Sequence, residues 1–151
     1  MFVPQAKILV LAMLSLLLAP AAQAANPTRQ FYGNWQKHQQ GFAYRSYYYK
    51  PSPNYAGFKH HHVIRHPKHP QHLYFYNPYK QQFWGRCPVA ANGKPHYSLL
   101  AEKDRSGDLE KIPEKAFPPY ADLPPIPEST DGETLDLPPD DLPDLGEKSK
   151  P

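Results

Sequence analysis

Between residues 42 and 103 the chain alternates short aromatic runs with turn-forming residues. Residues 42–50 read FAYRSYYYK, and successive side chains of a strand point to opposite faces. Tyr44 and Tyr48 therefore fall on one face, and Tyr47 and Tyr49 on the other. Four similar runs follow at residues 55–64, 73–76, 82–87 and 97–101, and Asn92-Gly93 predicts a hairpin turn before the last. The pattern predicts an all-β fold, a small antiparallel meander of about five short strands.

The longest apolar run lies near the N-terminus. Lys7 precedes residues 8–19, which only Ser15 interrupts, and a membrane-spanning helix needs about 20 apolar residues. Ala22 and Ala24 form the small-x-small pattern that signal peptidase cleaves. We therefore predict a signal peptide over residues 1–24, a secreted or periplasmic location, and no stable membrane span after cleavage.

Basic and acidic residues are segregated along the rest of the chain. Residues 25–105 hold 12 Lys and Arg against 2 Asp and Glu, and residues 106–151 hold 4 against 12. The second segment also carries 10 of the 20 prolines, which is typical of disorder or polyproline II. Pro113 limits any helix in residues 108–117 to a short turn. The sequence thus predicts a basic, aromatic, histidine-rich β domain over 25–105 and an acidic, proline-rich, disordered tail over 106–151. We expect this tail to be a partner of the basic surface.

The composition argues against catalysis. A β domain with almost no carboxylates cannot pair two of them for acid–base chemistry or orient a catalytic histidine. No serine lies in a Gly-x-Ser-x-Gly setting. Cys87 is the single cysteine, and it is either a packed thiol or the route to an intermolecular disulfide. We expect a non-catalytic protein without a cofactor.

Cations interspersed among aromatic rings suggest a binding surface, although many of the rings must also form the core. Secretion removes most nucleic-acid partners, so we expect none. We expect instead that the protein binds anionic polysaccharide or another anionic material of the cell envelope or matrix. The candidate ligand-binding residues are Arg45, Lys50, Lys59, Arg65, Lys80, Trp84 and Arg86.

Clustered histidines support an alternative function, transition-metal binding or buffering. In a strand, His60 and His62 share a face while His61 points away. Residues 66–72 repeat histidine every third position, the period of polyproline II, which spaces these rings by roughly 9 Å and favours weak separate sites. The candidate metal ligands are His60, His62, His66, His69 and His72. A further alternative is a structural protein of envelope assembly, joined through Cys87 or the tail.

Two runs carry a resemblance to known proteins. Residues 73–88 read LYFYNPYKQQFWGRCP, and residues 97–105 read YSLLAEKDR, followed by IPESTDG at 126–132. Over residues 35–145 the chain resembles uncharacterised small secreted proteins of planctomycete bacteria. The resemblance implies a bacterial envelope setting, and it implies no particular function, site or cofactor.

Overall fold

The computed structural model describes residues 29–90, 94, 96–143 and 145. The predicted signal peptide and the Asn92-Gly93 turn lie outside these residues. The strands are β1 (Gln30–Tyr32), β2 (Gln36–Lys37), β3 (Ala43–Tyr49), β4 (Lys59–Arg65), β5 (His72–Asn77), β6 (Gln82–Pro88) and β7 (Ser98–Leu99). Three 3₁₀-helices follow, at Glu102–Asp104, Leu109–Lys111 and Glu114–Ala116. In the described part of the chain, no helix has the length and apolar character needed to cross a membrane.

All seven strands belong to one antiparallel sheet in the order β1-β3-β4-β5-β6-β7. β2 lies on the same side of β3 as β1: Gln36 pairs with Tyr44, and Gln30 pairs with Tyr49. Together they form a broken edge strand. The all-β expectation is confirmed, and the five predicted runs correspond to β3–β7. β1 and β2 are additional, since their very short pairing segments carry no alternating pattern.

The two faces of the sheet have different environments, and β3 shows this most clearly. Its residues alternate strictly between buried and half-buried. Tyr47 and Tyr49 are buried on what we call the covered face, whereas Tyr44 and Tyr48 lie half-buried on the opposite, open face. The predicted division of these tyrosines is confirmed.

The covered face is closed by residues 121–143, which we call the strap. Ile126 and Leu135 are both 0% exposed. They pack into one core with aromatic and aliphatic side chains of β3–β6 and with Tyr97. Two backbone bridges, Tyr97 with Ala121 and Pro125 with Thr134, fix the course of the strap. The strap therefore supplies part of the main hydrophobic core.

A second, smaller core lies on part of the open face. Ile112 and Phe117, from the segment of 3₁₀-helices, pack there against Tyr74 and Phe83, with Leu100 completing the cluster. Among the described residues, no further cluster of buried apolar side chains covers the rest of the open face. Apolar residues from both sides of the predicted boundary between residues 105 and 106 thus share the same cores.

The expected disorder of residues 106–151 is corrected for their described part, which packs on both faces of the sheet. The expectation rested on the low average content of apolar residues. Four widely spaced apolar side chains suffice here, because each fits between rings of the sheet: Ile112, Phe117, Ile126 and Leu135. Proline also restricts the unfolded chain, so ordering this segment costs less conformational entropy than usual. Pro113 does interrupt the helix, and a short 3₁₀-helix lies on each side of it.

Replacing an apolar side chain of the strap should destabilise the whole fold. We expect Leu135→Ala to lower the free energy of unfolding by about 2–5 kcal/mol, because the cavity it leaves lies in the main core. Leu142→Ala is the matched control, since Leu142 is 41% exposed, and it should change stability by less than about 0.5 kcal/mol. Urea titration measures both, and equal effects of the two variants would contradict the packed strap.

Gly85 in β6 is required by the close approach of another ring. A Cβ at this position would lie 2.4 Å from the Tyr97 ring, and Tyr97 is fully buried and has no room to retreat. We expect Gly85→Ala to lower the free energy of unfolding by about 3 kcal/mol, because the added methyl group overpacks the core. In Gly33→Ala the nearest atom would lie at an ordinary 3.4 Å, so this control should retain the wild-type melting temperature.

Candidate binding surface

The acidic residues of the C-terminal segment form ion pairs with the basic residues of the sheet and its edge. Four pairs involve a basic group that is at least three-quarters buried, and the acidic partner is more exposed in each. The pairs are Arg29 with Asp131 at 2.7 Å, Arg45 with Asp141 at 3.1 Å, Lys59 with Glu128 at 2.6 Å, and Arg86 with Glu114. Part of the charge segregated along the sequence is therefore compensated by ion pairs within the folded chain.

Most of the seven predicted ligand-binding residues are engaged inside the protein. Arg45, Lys59 and Arg86 belong to these ion pairs, and Arg65 donates from Nη1 to the carbonyl of Pro143 at 3.1 Å. The guanidinium of Arg86 also lies 4.0 Å from the centre of the Phe117 ring. These cations are consequently occupied by intramolecular partners.

Of the other three predicted residues, Lys80 and Trp84 line one cavity, together with Lys59, and Lys50 lies elsewhere. Trp84 is 6% exposed and belongs to the core of the covered face. Lys80 is exposed in the turn after β5, and Lys50 Nζ lies 5.0 Å from the centre of the Phe58 ring. The structure does not assemble the seven residues into one surface, because they are distributed over both faces and the edges.

The histidines of β4 are divided as the strand period predicts. His60 and His62 lie on the open face with ring centroids 5.3 Å apart. His61 is buried on the covered face, where its Nε2 lies 3.0 Å from the Tyr49 hydroxyl. This prediction is confirmed.

The polyproline II spacing expected for residues 66–72 is wrong. The backbone N–H of His69 donates to the His66 carbonyl at 2.9 Å, and that of His72 to the His69 carbonyl at 3.3 Å. These bonds fold the segment into consecutive turns and bring the rings of His66 and His69 to 5.9 Å. The two prolines are accommodated because turns, like polyproline II, accept their fixed φ.

The candidate metal ligands do not converge. Within residues 29–90, 94, 96–143 and 145, no three His, Cys, Asp or Glu side chains are arranged to hold a metal ion. His60 and His62 lie on the open face, His66 and His69 at its rim, and His72 Nδ1 pairs with the Tyr120 hydroxyl at 2.8 Å.

A row of aromatic and imidazole rings crosses the open face. Neighbouring ring centroids are separated by 4.3–6.4 Å along its whole length. This ring row consists of Phe58, Phe31, Tyr48, His60, His62, Tyr44, Phe42, His38 and His66. Phe31 and Phe58, at one end, are 44% and 39% exposed. The row thus offers a continuous series of ring faces and edges to a ligand.

At its other end the ring row leads into a cleft of about 690 Å³. Phe42, Tyr44 and Tyr76 provide aromatic wall, and imidazoles of the row lie between them. On the opposite side are Asp108 and Glu110, whose segment begins a 3₁₀-helix. The cleft therefore combines apolar ring faces with carboxylate acceptors and imidazoles.

Two imidazoles of this surface, those of His62 and His66, have lowered pKa values. Burial lowers the pKa of His62, and the neighbouring His60 lowers it further. Burial likewise lowers the pKa of His66, with His69 and Lys68 contributing. At neutral pH both rings are uncharged and can donate one hydrogen bond and accept another. Acidification adds positive charge to the surface.

Cys87 lies in the core of the covered face. Its side chain is buried and free, and burial raises the pKa of its thiol to about 12. A thiol in this state is a poor nucleophile. Of the two alternatives for Cys87, the structure shows the packed thiol.

No protein-family model, curated protein or solved structure matches this chain. The comparisons therefore assign no function to the ring row or its cleft.

Tyr44 and Tyr48 could be placed on this surface from the alternation in β3. Phe31 and Phe58 could not, because Phe31 lies in the short strand β1 and Phe58 in the loop before β4.

The buried imidazole of His61 should make stability depend on pH. Burial, followed by the charges of His60, His62 and Lys59, lowers the pKa of His61 to about 3. In the unfolded chain its pKa is near 6.5. Between these two pH values His61 is protonated in the unfolded state and neutral in the folded state. The stabilisation that neutral His61 contributes is therefore complete above pH 6.5 and is lost progressively towards pH 3.

We expect the free energy of unfolding of His61→Gln to fall less steeply between pH 6.5 and 4 than that of the wild type. The difference in slope should approach about 1.4 kcal/mol per pH unit. Urea titrations at intervals of half a pH unit measure it. Paired carboxylates such as Glu114 also lose stabilisation in acid, so the variant retains a slope of its own. Parallel curves for the two proteins would contradict a neutral, buried His61.

Proposed function

We propose that this protein is a non-catalytic, secreted or periplasmic binder of anionic polysaccharide from the cell envelope or matrix, and that the ring row is its binding surface. The observation that carries the proposal is the unbroken succession of ring contacts across the open face. Cleavage of residues 1–24 as a signal peptide is part of the proposal, since it brings the surface to such polymers.

Aromatic rings suit sugars because the C–H groups on one side of a pyranose form an apolar face. That face packs on Tyr, Phe or Trp, while hydroxyl groups around its edge need polar partners. Tyr48 and Phe31 stack face to face with centroids 4.7 Å apart and an angle of 20° between their planes. This stacked platform presents ring edges and the exposed part of Phe31 to a sugar. Asp108 and Glu110 offer acceptors to hydroxyl groups at the cleft.

The preference for an anionic polymer comes from the charges that the fold leaves uncompensated near the row. Lys50 lies beside Phe58 at one end, and the imidazoles become cationic as the pH falls. Arg29, Arg45 and Arg86 contribute little, because carboxylates of the C-terminal segment already pair with them. Affinity should therefore be moderate at neutral pH and rise in mild acid.

Dextran sulfate and uncharged dextran of equal length test the proposal by calorimetric titration. The wild type should bind dextran sulfate more tightly than dextran, and more tightly at pH 5.5 than at pH 7.5. The double variant Phe31→Ala, Tyr48→Ala removes the stacked platform and should weaken binding about tenfold. Near-UV circular dichroism at both pH values checks that the proteins are folded.

Tyr55→Ala is the matched control, because Tyr55 is also exposed, at 38%, but lies outside the ring row. It should bind as the wild type does. Equal weakening in the control and the double variant would place the polymer elsewhere. Equal affinity for dextran and dextran sulfate would rule out the anionic preference.

A further inference from the structure

A second cavity, of about 330 Å³, lies between the sheet and the strap. Tyr79 and Trp84 line one side of it, and Pro124, Pro125 and Pro127 of the strap line the other. Trp84 belongs to the core of the covered face. The cavity therefore lies on the covered side of the sheet, although the Tyr79 ring also lies 6.1 Å from that of His60 in the ring row. Nothing in the proposed function uses the cavity.

The charged side chains around this cavity are predominantly basic. Lys59, Lys80 and Arg105 line it, against the single carboxylate of Glu128. Glu128 is already paired with Lys59, at 2.6 Å. Among the described residues, neither Lys80 nor Arg105 forms an ion pair with a carboxylate. Two uncompensated cations thus remain at the cavity.

Arg105 is held in place while part of its guanidinium stays free. Its Nε and Nη2 both donate to the carbonyl of Leu100, at 3.1 and 3.0 Å. These two bonds fix the side chain beside the cavity. The described residues provide no hydrogen-bond partner for Nη1. A carboxylate that enters the cavity meets an oriented cation, which loses little conformational entropy on binding.

Three residues that line the cavity have a buried polar atom for which the described residues provide no hydrogen-bond partner. The atoms are His61 Nδ1, Trp84 Nε1 and Ser129 Oγ. Such atoms are uncommon in folded proteins, because an unsatisfied buried donor is costly. Trp84 Nε1 can only donate. The Trp84 Nε1–H group therefore lacks an acceptor, which an anion supplies.

The wall formed by Glu128 and Ser129 has a strained backbone. Glu128 adopts a φ of 64°, in the left-handed region that residues other than Gly, Asn and Asp rarely occupy. Backbone strain of this kind is commonly found at ligand-binding segments.

We infer that this cavity binds a small organic anion consisting of a six-membered ring with a carboxylate, of the size of a hexuronic acid. The volume lies at the lower end of those of small-molecule sites. Tyr79 and the strap prolines pack on the ring, Lys80 and Arg105 bind the carboxylate, and Trp84 Nε1–H and Ser129 Oγ–H donate to oxygens of the ligand.

The indole N–H resonances give a direct test with D-glucuronate as the probe. The chain has two tryptophans, so each appears as a separate signal in a proton–nitrogen correlation spectrum. Addition of D-glucuronate should shift the Trp84 signal in a saturable way. Trp35 is the internal control, because its Nε1 donates to the Asp141 carbonyl at 2.8 Å, away from the cavity, and its signal should stay in place. D-glucose should produce at least about tenfold weaker binding, since it lacks the carboxylate.

Charge variants complete the experiment. Lys80→Gln should weaken D-glucuronate binding several-fold, and Lys80→Gln with Arg105→Gln at least about tenfold. The matched control is Lys37→Gln, an exposed lysine of β2, which should bind as the wild type. Lys80 is exposed in a turn, so its variant tests the site even if replacement of Arg105 disturbs the fold.

Three results would overturn the inference: a Trp84 signal unmoved by D-glucuronate, equal binding of D-glucose, or equal binding of sodium acetate, which carries the charge without the ring. The variant Phe31→Ala, Tyr48→Ala should bind D-glucuronate normally. This arm separates the cavity from the ring row, so failure of one proposal leaves the other standing.

Discussion

The attachment of the acidic strap to the basic sheet is the interaction on which the rest of the structure depends. Ile126 and Leu135 complete the main core, and buried Arg29 holds Asp131 while also bonding the carbonyls of Lys50 and Pro51. Gln30 bonds the strap twice, donating to the Thr134 carbonyl and accepting from the Asp136 N–H. Without the strap, a sheet built from tyrosine would expose its largest rings to water on one face, and a domain of this size has little other core.

The cover on each face also determines where a ligand can bind. On the open face the described residues leave the ring row accessible, because the 3₁₀-helical segment packs on only part of that face. On the covered face the strap leaves the cavity beside Trp84. Three consecutive histidines illustrate the result: His61 is an uncharged core residue, while His60 and His62 belong to the accessible surface. Because successive side chains of a strand point to opposite faces, neighbouring histidines here have different roles, one in the core and two at the surface.

The sequence predicts the sheet well and its cover poorly, for physical reasons that particular residues show. Alternation in residues 42–50 is a local property, so it identifies β3 and the orientation of each tyrosine. The packing of Leu135 depends on a hole formed by residues far away along the chain, which no local pattern contains. The basic residues Arg45 and Arg86 were expected at a binding surface because their acidic partners lie 96 and 28 residues away. Composition shows that such charges balance, and only the fold shows which side chains meet.

The bonds between β1 and the strap join residues that are more than one hundred positions apart: Gln30 with Thr134, and Tyr32 with Asp136, are each separated by 104 residues. A chain that grows or crosses a membrane from its N-terminus completes these contacts last. The aromatic sheet must therefore remain open, or be protected by other proteins, until nearly the whole chain has emerged. The strap is therefore the part of the fold that forms late, because its contacts with β1 require both ends of the folded region.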